Sequence, residues 1–256
     1  MTHQPSDKAA LRGEPSYVWR AGQRRRMQMI LQSAPQMIGG RVLVDGCGVG
    51  SYVAHLSEYA QNVHGLDIEF ERLCEPVQPL DNLVNGVGEQ LPYASESFDA
   101  ILSHEVLEHV QDDRQAMLEI ARVLKVGGRA VVFVPNRWYP FETHGIYWRG
   151  KYHFGNKLFV NYLPNHWRNR LAPHVKAYTR HSLRQLWANT PLQVVQWNII
   201  YGGYDNLIAK FGIFGKILRS LLYLMENTPL QTWGLSHWVV LEKKQDSASP
   251  ASFLTL

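Results

Sequence analysis

The chain has 256 residues, of which 45% are hydrophobic and 19% are charged, an ordinary composition for a globular protein with a substantial core. The formal net charge of +4 falls well short of the dense basic surface typical of nucleic-acid-binding proteins, so nucleic acid is a disfavoured partner. Neither an apolar run of about 18 residues nor a secretory apolar segment occurs, and the two cysteines, Cys47 and Cys74, are expected to be reduced in a cytosolic protein.

We expect one domain over residues 1–256, with a mobile N-terminus at 1–15 and a mobile tail at 244–256. A helix is predicted from Tyr17 to Leu31. It carries a basic stripe that is either a solvated face or the source of one ligand-binding guanidinium. The stripe consists of Arg24, Arg25 and Arg26.

Strand and helix signals then alternate, which predicts an α/β fold with a parallel sheet and helices on both faces. The predicted strands are 41–45, 62–67, 82–85, 98–103, 129–134, 192–201 and 237–243, and the predicted helices between them are 51–60, 70–75 and 113–125. Ligands of such sheets bind beyond the carboxyl ends of the strands.

The first strand ends in Asp45 and is followed by three closely spaced glycines, Gly46, Gly48 and Gly50. This turn lets a ligand lie directly on the backbone. Asp67 ends the next strand, where a carboxylate can accept both ribose hydroxyls. The dinucleotide pattern fails at Ser51, and no lysine follows to make a phosphate loop. The pattern therefore favours a cofactor with a ribose and an amino-acid tail but no phosphate.

Four further motifs follow in order: Gly86–Tyr93, Ser97–Ser103, Glu105–Val110 and Val123–Arg129. With the glycine turn they make the chain similar to the class I S-adenosylmethionine-dependent methyltransferases, in the subgroup that includes the ubiquinone and menaquinone methyltransferases. The resemblance is close over 38–136 and extends over 175–243 only by strand and helix order. It implies a Rossmann-like, mostly parallel sheet with an antiparallel last strand, interrupted by two insertions.

The resemblance also implies S-adenosylmethionine as cofactor and a role for each matching residue. Residues 45–50, with Asp45, Gly46, Cys47, Gly48 and Gly50, would hold the methionine portion. The ribose and adenine would be bound by Asp67, Ile68, Gly88 and Glu89. The floor near the sulfonium would be lined by Ser103 and His104, and the cofactor carboxylate would pair with Arg26. One departure is Val87, which stands where the family usually has an aspartate that accepts the adenine amino group.

The first insertion, about 136–176, holds ten of the 29 aromatic residues together with four histidines. A loop of this length is typical of a lid or binding loop that covers a large apolar or ring-bearing substrate. The alternative is a satellite core beneath a long loop. The aromatic residues are Trp138, Tyr139, Phe141, Tyr147, Trp148, Tyr152, Phe154, Phe159, Tyr162 and Trp167, and the histidines are His144, His153, His166 and His174.

The second insertion, about 203–233, predicts a basic amphipathic helix. Such a helix either packs on the domain or lies in a membrane interface, with the contact through 207–225. One face carries Leu207, Phe211, Phe214, Leu218, Leu221, Leu222 and Met225, the opposite face carries Lys216, Arg219 and Ser220, and Lys210 lies at the flank.

Glu105, Glu108 and His109 form an E-x-x-E-H pattern that, if helical, places all three side chains on one face. Two carboxylates and an imidazole suit Mg²⁺ or another hard divalent ion, and Glu142 or His144 could complete the site. The pattern is similar to the metal-binding motif of ubiquinone-type O-methyltransferases and of small-RNA 2′-O-methyltransferases. The alternative is that these side chains only brace the start of a helix. His109 and His144 are the candidates for a general base.

We therefore expect a cytosolic S-adenosylmethionine-dependent methyltransferase, peripheral to the membrane if the amphipathic helix binds lipid. The expected reaction is O-methylation of an aromatic, quinone-like or lipophilic small-molecule acceptor. The open alternatives are methylation of a sugar or other polar metabolite, methylation of RNA, and a cofactor-binding protein without turnover.

Overall fold

The computed structural model describes residues 18–245, so the predicted mobile segment 1–15 and most of the predicted tail 244–256 lie outside the described residues. Seven strands form the central sheet: β1 (Arg41–Asp45), β2 (Asn62–Asp67), β3 (Leu83–Asn85), β4 (Phe98–His104), β5 (Leu124–Pro135), β10 (Leu192–Ile200) and β11 (Ser236–Lys243). They lie side by side in the order β10-β11-β5-β4-β1-β2-β3.

Helices cover both faces of this sheet, and short strands lie outside it. The helices are α1 (Ala21–Ser33), α2 (Ser51–Leu56), α3 (Phe70–Cys74), α4 (Asp113–Val123), α5 (Asn165–Leu171), α6 (Arg180–Gln185), α7 (Asp205–Phe211) and α8 (Ile213–Met225). The short strands are β6 (Phe141–Glu142), β7 (Ile146–Trp148), β8 (Lys151–His153) and β9 (Lys157–Leu158), and 3-10 turns cover Pro35–Met37, Val160–Tyr162 and Pro229–Trp233.

Strand direction confirms the predicted fold. β1 pairs in parallel with β2 and β4, while β11 is antiparallel to both β5 and β10. The central strands are almost fully apolar and buried on both faces, as parallel strands between two helical layers must be. Two hydrophobic clusters result, one on each face of the sheet. All the long parallel strands thus end at one edge, where the predicted ligand residues lie.

The first insertion is built from β6 to β9, a 3-10 turn and α5, and it has a small polar core of its own. Arg168 is 2% exposed, and its guanidinium donates to Glu142 at 2.7 Å and to the carbonyl of Val175 at 2.6 Å. Asn161 joins this core through hydrogen bonds to the carbonyls of Tyr139 and Phe141. The insertion is therefore a satellite core, yet seven of its ten aromatic side chains are exposed on its surface.

The second insertion is a helical hairpin, and the prediction of one continuous amphipathic helix is wrong. The backbone breaks at Gly212, which has φ 54° and ψ −121° and separates α7 from α8. Gly215 then packs against α7, where a Cβ would lie 2.8 Å from the Cα of Ile208. Within the described residues, no helix is both long and apolar enough to cross a membrane.

Candidate functional site

The glycine turn after β1 is held in a conformation that side chains resist. Gly46, Gly48 and Gly50 have φ of 70°, 56° and 79°, a region that glycine enters without steric cost. A Cβ on Gly46 would lie 2.2 Å from Cγ2 of Val106, and one on Gly50 would lie 2.3 Å from Cδ1 of Leu80. Gly46 and Gly50 are therefore required for two reasons, a left-handed backbone and a close neighbour, and Gly48 for its backbone alone.

Asp45, at the end of β1, is the most unusual group of this edge. Its side chain is 1% exposed, Oδ2 accepts a hydrogen bond from the Ser103 hydroxyl at 3.3 Å, and Oδ1 has no hydrogen-bond partner among the described residues. Burial raises the pKa of Asp45 to about 7. A buried carboxylate in this state favours a cationic partner, and the amino group of a methionine portion is such a cation. Cys47 is buried beside it, and burial raises the pKa of its thiol to about 12, so it is an inert thiol.

Asp67 ends β2 and organises the turn. Its Oδ2 accepts a hydrogen bond from the amide of Gly48 at 2.7 Å, and Oδ1 accepts one from the amide of Glu69 at 2.9 Å. Ile68, the next residue, is 49% exposed and offers an open apolar surface to a flat ring. The carboxylate that would hold a ribose therefore also locks the loop that would hold the methionine portion.

The segment 86–89 borders the same edge. Gly88 approaches Asp45 so closely that a Cβ there would lie 3.3 Å from Oδ1. Glu89 turns away from this contact, because its Oε1 accepts hydrogen bonds from the amides of Gln111 and Asp112 at 2.8 and 3.4 Å. Val87 is half-exposed. The Glu89 side chain thus braces the turn before α4.

Ser103 and His104 end β4 in the middle of the edge. The His104 ring contacts the guanidinium of Arg26, which comes from α1 and also lies 3.7 Å from Glu105. Burial, reinforced by the Arg26 charge, lowers the pKa of His104 to about 3, so the imidazole is neutral at physiological pH. Of the predicted basic stripe, Arg24 is solvated, Arg25 pairs with Glu226, and Arg26 reaches this edge.

The E-x-x-E-H segment is a turn, so the helical condition under which its three side chains would share one face is not met. Glu105 has φ 59°, which stops the chain from entering a helix directly after β4. The helix begins at Asp113 instead, where the Asp112 side chain caps it by accepting from the amide of Gln115 at 2.9 Å. The carboxylate of Glu105 accepts a hydrogen bond from the hydroxyl of Ser236 at 3.0 Å.

This turn brings Glu108 and His109 to His144 of the insertion. One ligand atom of each lies within 4.8 Å of the others, and the two imidazole rings are 5.3 Å apart. Glu108 is 1% exposed, and neither of its carboxylate oxygens has a hydrogen-bond partner among the described residues. Burial and the neighbouring Glu105 raise the pKa of Glu108 well above its usual range. Burial likewise lowers the pKa of His109 to about 4.

Both imidazoles in this cluster are oriented by their Nδ1 atoms. Nδ1 of His109 lies 3.3 Å from the carbonyl of His174, and Nδ1 of His144 lies 3.1 Å from the carboxylate of Glu142. Burial opposes ionisation of Glu142, but His144 and Arg168 outweigh it and hold the pKa of that carboxyl below its usual range. Because Nδ1 of each histidine has a partner, Nε2 is the ring nitrogen available to bind a metal. Metal-binding histidines are commonly oriented in this way by hydrogen bonds from the other ring nitrogen.

Tyr52 lies at this edge without having been predicted from the sequence. Its ring centroid is 5.0 Å from that of His104, and its buried hydroxyl has no hydrogen-bond partner among the described residues. Trp19 packs edge-on against the Tyr52 ring and stacks on His55. The sequence gives no signal that Tyr52 lies at the candidate site, because a tyrosine at the second position of a helix is equally suited to packing in the core.

Comparison with known proteins agrees with this geometry. The model of a family described as a methyltransferase domain matches residues 43–132. A probable S-adenosylmethionine-dependent methyltransferase of Mycolicibacterium smegmatis is 33% identical over 117 residues, which is 44% of this chain and 45% of the relative. A ubiquinone biosynthesis O-methyltransferase of Erwinia tasmaniensis is 30% identical over 119 residues, 44% of this chain and 49% of the relative. The chain thus matches about half the length of these curated relatives.

Solved structures share the fold over most of the chain. An S-adenosylmethionine-dependent methyltransferase from Mesorhizobium loti has a TM-score of 0.61 at 17% identity and covers 89% of this chain and 100% of its own. The YcgJ protein of Bacillus subtilis has a TM-score of 0.54 at 20% identity and covers 87% of this chain and 99% of its own. These likenesses show that the chain has the fold of the class I S-adenosylmethionine-dependent methyltransferases. Within that fold, residues 43–132, which contain the glycine turn and Asp45, are similar to a methyltransferase domain.

Proposed function

We propose that the protein transfers the methyl group of S-adenosylmethionine to an oxygen of an aromatic, quinone-like or otherwise lipophilic small molecule. The observation that carries the first half of this proposal is the Asp45 carboxylate, buried and with one oxygen unpartnered among the described residues, beside the glycine turn. Desolvated carboxylates persist where a ligand supplies the missing charge and hydrogen bonds.

Each residue at the edge has a proposed part in binding. Asp45 and the glycine turn would hold the methionine portion, Asp67 the ribose, and Ile68 one face of the adenine. Gly88 would let the backbone border the adenine edge, where Val87 supplies no carboxylate. One missing hydrogen bond costs about 0.5–1.5 kcal/mol, which leaves cofactor binding intact.

The bound cofactor supplies an electrophilic methyl group on a sulfonium. Ser103 and His104 would form the floor beneath it, and a neutral His104 places no positive charge against a sulfonium cation. The guanidinium of Arg26 contacts His104 and would also pair with the cofactor carboxylate. Alignment and proximity supply most of the rate in such a displacement. A base is needed where the acceptor keeps its proton, and in the metal-free protein His109 or His144 would accept it.

The acceptor class is supported by the first insertion and by one relative. The insertion delivers His144 to the edge of the sheet and carries exposed aromatic side chains, which suit ring-bearing and apolar molecules. The similarity to a ubiquinone biosynthesis O-methyltransferase points the same way. We also propose that a lipid-like acceptor is met at a membrane surface, through the hairpin that contains residues 207–225.

We further propose that Glu108, His109 and His144 hold a divalent metal ion. Two oriented imidazoles and a buried carboxylate, unpartnered within the described part of the chain, fit a metal. Imidazole ligands suit Zn²⁺, Mn²⁺ or Fe²⁺ better than the Mg²⁺ expected from the sequence. When bound, such an ion would lower the pKa of an acceptor hydroxyl. Glu105 borders this group without being one of its three converging ligands: its carboxylate contacts Ser236 and Arg26, and its charge raises the pKa of Glu108.

Methyl-labelled S-adenosylmethionine tests the reaction directly. The purified protein is incubated with cell extract and each of Mg²⁺, Mn²⁺ and Zn²⁺, and the products are partitioned between organic and aqueous phases. Label in the organic phase supports a lipophilic acceptor, and label in the aqueous phase would replace it with a sugar, a polar metabolite or RNA. Cofactor binding without transfer to any extract would contradict the enzyme proposal. The Asp45→Asn variant is the negative control for binding.

The metal proposal is tested by measuring bound metal in the purified protein. We expect Glu108→Gln to lose bound Zn²⁺ or Mn²⁺, while Glu105→Gln, the matched change three residues away, retains it. The site would be contradicted if Glu108→Gln, Glu105→Gln and the wild type all contained the same amount of metal, with each protein measured after chelator treatment. Methyl transfer that is unchanged by chelator would show that the ion has no part in the reaction.

A further inference from the structure

Helix α8 exposes an apolar stripe, which begins at its first residue and continues to its last turn. Six of its side chains are 45–76% exposed, whereas Gly215 is the sole buried residue of this fully described helix. The six lie within about 140° around the axis, given 100° per residue. They are Ile213, Phe214, Ile217, Leu218, Leu221 and Leu224, and we call them the α8 stripe.

The opposite side of α8 is fixed to the body of the protein. Tyr223 packs under the guanidinium of Arg25, whose centre is 3.9 Å from the ring centroid, and Arg25 also donates to Glu226 at 3.0 Å. Gly215 sits against α7, with no room for a side chain. The outward direction of the α8 stripe is therefore set by these contacts, so the stripe is a fixed feature of the surface.

The apolar surface continues beyond the end of α8. Leu230 is 41% exposed and Trp233 is 50% exposed, both in the 3-10 turn that contacts α8. Contiguous exposed apolar surfaces of this kind are uncommon on proteins that bind nothing there. An exposed tryptophan at the margin is typical of proteins that contact the headgroup region of a bilayer.

Charge around the α8 stripe is positive. The two acidic residues of the hairpin are already neutralised, because Asp205 lies 3.9 Å from Arg219 and Glu226 pairs with Arg25. Lys210 and Lys216 are exposed and pair with no carboxylate in the part of the chain that the structure describes. Cations beside an apolar face are complementary to a surface that is apolar inside and anionic outside, which is the surface of an anionic bilayer.

We propose that the α8 stripe, with Leu230 and Trp233, docks the protein on an anionic lipid bilayer. The 12 residues from Ile213 to Leu224 extend about 18 Å, too short to cross a bilayer core of about 30 Å, so α8 lies in the plane of the interface. Lys210 and Lys216 contact lipid phosphates at the rim. A lysine near such a surface strengthens partitioning about five-fold.

The docked surface flanks the cofactor edge. Arg25 holds α8, and Arg26, the next residue of α1, contacts His104 at the end of β4. The membrane would therefore lie beside the opening through which an acceptor enters. This last link rests on the proposed function, whereas lipid binding by the α8 stripe does not.

Vesicle co-sedimentation tests the docking without any methyl acceptor. The full chain is mixed with phosphatidylcholine vesicles with and without phosphatidylglycerol. We expect binding to the anionic vesicles that is at least ten-fold weaker for the double variant Ile217→Ser, Leu221→Ser. The matched control is Ile38→Ser, Leu118→Ser, which removes two comparably exposed side chains outside the hairpin and should bind like the wild type. The double variant Lys210→Glu, Lys216→Glu should lose the preference for anionic vesicles.

Several outcomes overturn the proposal. They are absence of wild-type binding, an unchanged affinity in the Ile217, Leu221 variant, and equal losses in the control. A wild-type dimer that this variant converts to monomer, without vesicle binding by either, would assign the stripe to a second copy of the chain. Circular dichroism and S-adenosylmethionine binding verify the fold of each variant. Vesicle binding by a protein that transfers no methyl group to any cell extract would refute the proposed reaction and leave the docking surface standing.

Discussion

Single residues at the glycine turn combine two separate constraints, the sign of φ and the distance to a neighbour. Gly46 meets both, since its φ is 70° and a Cβ would collide with Val106. Gly127 meets one, because its φ is 79° but no neighbouring atom lies within 4 Å of the point that a Cβ would occupy. Comparing substitutions at Gly46 and Gly127 therefore distinguishes the cost of a strained backbone from the loss of the binding site.

We expect Gly46→Ala to abolish S-adenosylmethionine binding, because either Val106 or the turn must move to admit the methyl group. Gly127→Ala should cost about 1 kcal/mol of stability from the left-handed backbone alone and leave cofactor binding unchanged. Isothermal titration with S-adenosylmethionine and urea unfolding of both variants measure the two effects. Full binding by Gly46→Ala would show that the turn is not the binding surface.

Among the elements, the first insertion depends most on a single buried interaction. Arg168 and Glu142 form an ion pair in which both side chains are 2–3% exposed, and Glu142 in turn orients His144. Removing one member of a buried pair leaves the other charge without compensation. The Arg168–Glu142 ion pair therefore stabilises the insertion and also fixes the orientation of His144 in the candidate metal site.

We expect Arg168→Met to lower the free energy of unfolding by about 3–5 kcal/mol, because Glu142 is left buried and unpaired. Lys176→Met breaks the more exposed ion pair with Asp113, at 3.3 Å, and should cost at most about 1 kcal/mol. Urea unfolding measures both. Adding Glu142→Gln to Arg168→Met should recover part of the loss. Equal losses of unfolding free energy in Arg168→Met and Lys176→Met would contradict this role of the Arg168–Glu142 pair.

The elements also show which features the sequence predicts and which it does not. The strands were predicted to within a few residues, because apolar runs that end in glycine or a polar turn leave few alternatives. The helix predicted at 113–125 is present as Asp113–Val123. The single helix over 203–233 was wrong, since side-chain periodicity cannot report the break at Gly212. His144 was one of the two residues expected to complete the metal group, and the structure brings it, not Glu142, to Glu108 and His109.

The candidate cofactor residues could be proposed from sequence because they follow strands of one parallel sheet. Asp45, Asp67 and His104 end β1, β2 and β4, and the carboxyl ends of parallel strands meet at one edge. Tyr52 and Arg168 could not be proposed, because their importance comes from burial beside groups that are distant in the chain. The sequence alone thus does not show which distant groups surround a buried polar side chain.

For the whole molecule, buried titratable groups determine how stability changes with pH. Burial lowers the pKa of His104 to about 3 and the pKa values of His109 and His237 to about 4. These imidazoles stay neutral when folded but take up protons on unfolding below about pH 6.5, so they destabilise the fold as pH falls. Asp45 and Glu108 act in the opposite direction, because their raised pKa values make them release protons on unfolding.

Burial also lowers the pKa values of His64 and His174. We expect the histidines to prevail between pH 6 and pH 5, since at least three protons are taken up on unfolding and two are released. One net proton lowers the free energy of unfolding by about 1.4 kcal/mol per pH unit. Urea unfolding of the cofactor-free, chelator-treated protein at both pH values measures this slope. Asp45→Asn removes one opposing proton release and should steepen the slope by about 1.4 kcal/mol per pH unit. A slope in the variant equal to that of the wild type would mean that Asp45 is already ionised in the folded protein, and therefore that its partner is present without the cofactor.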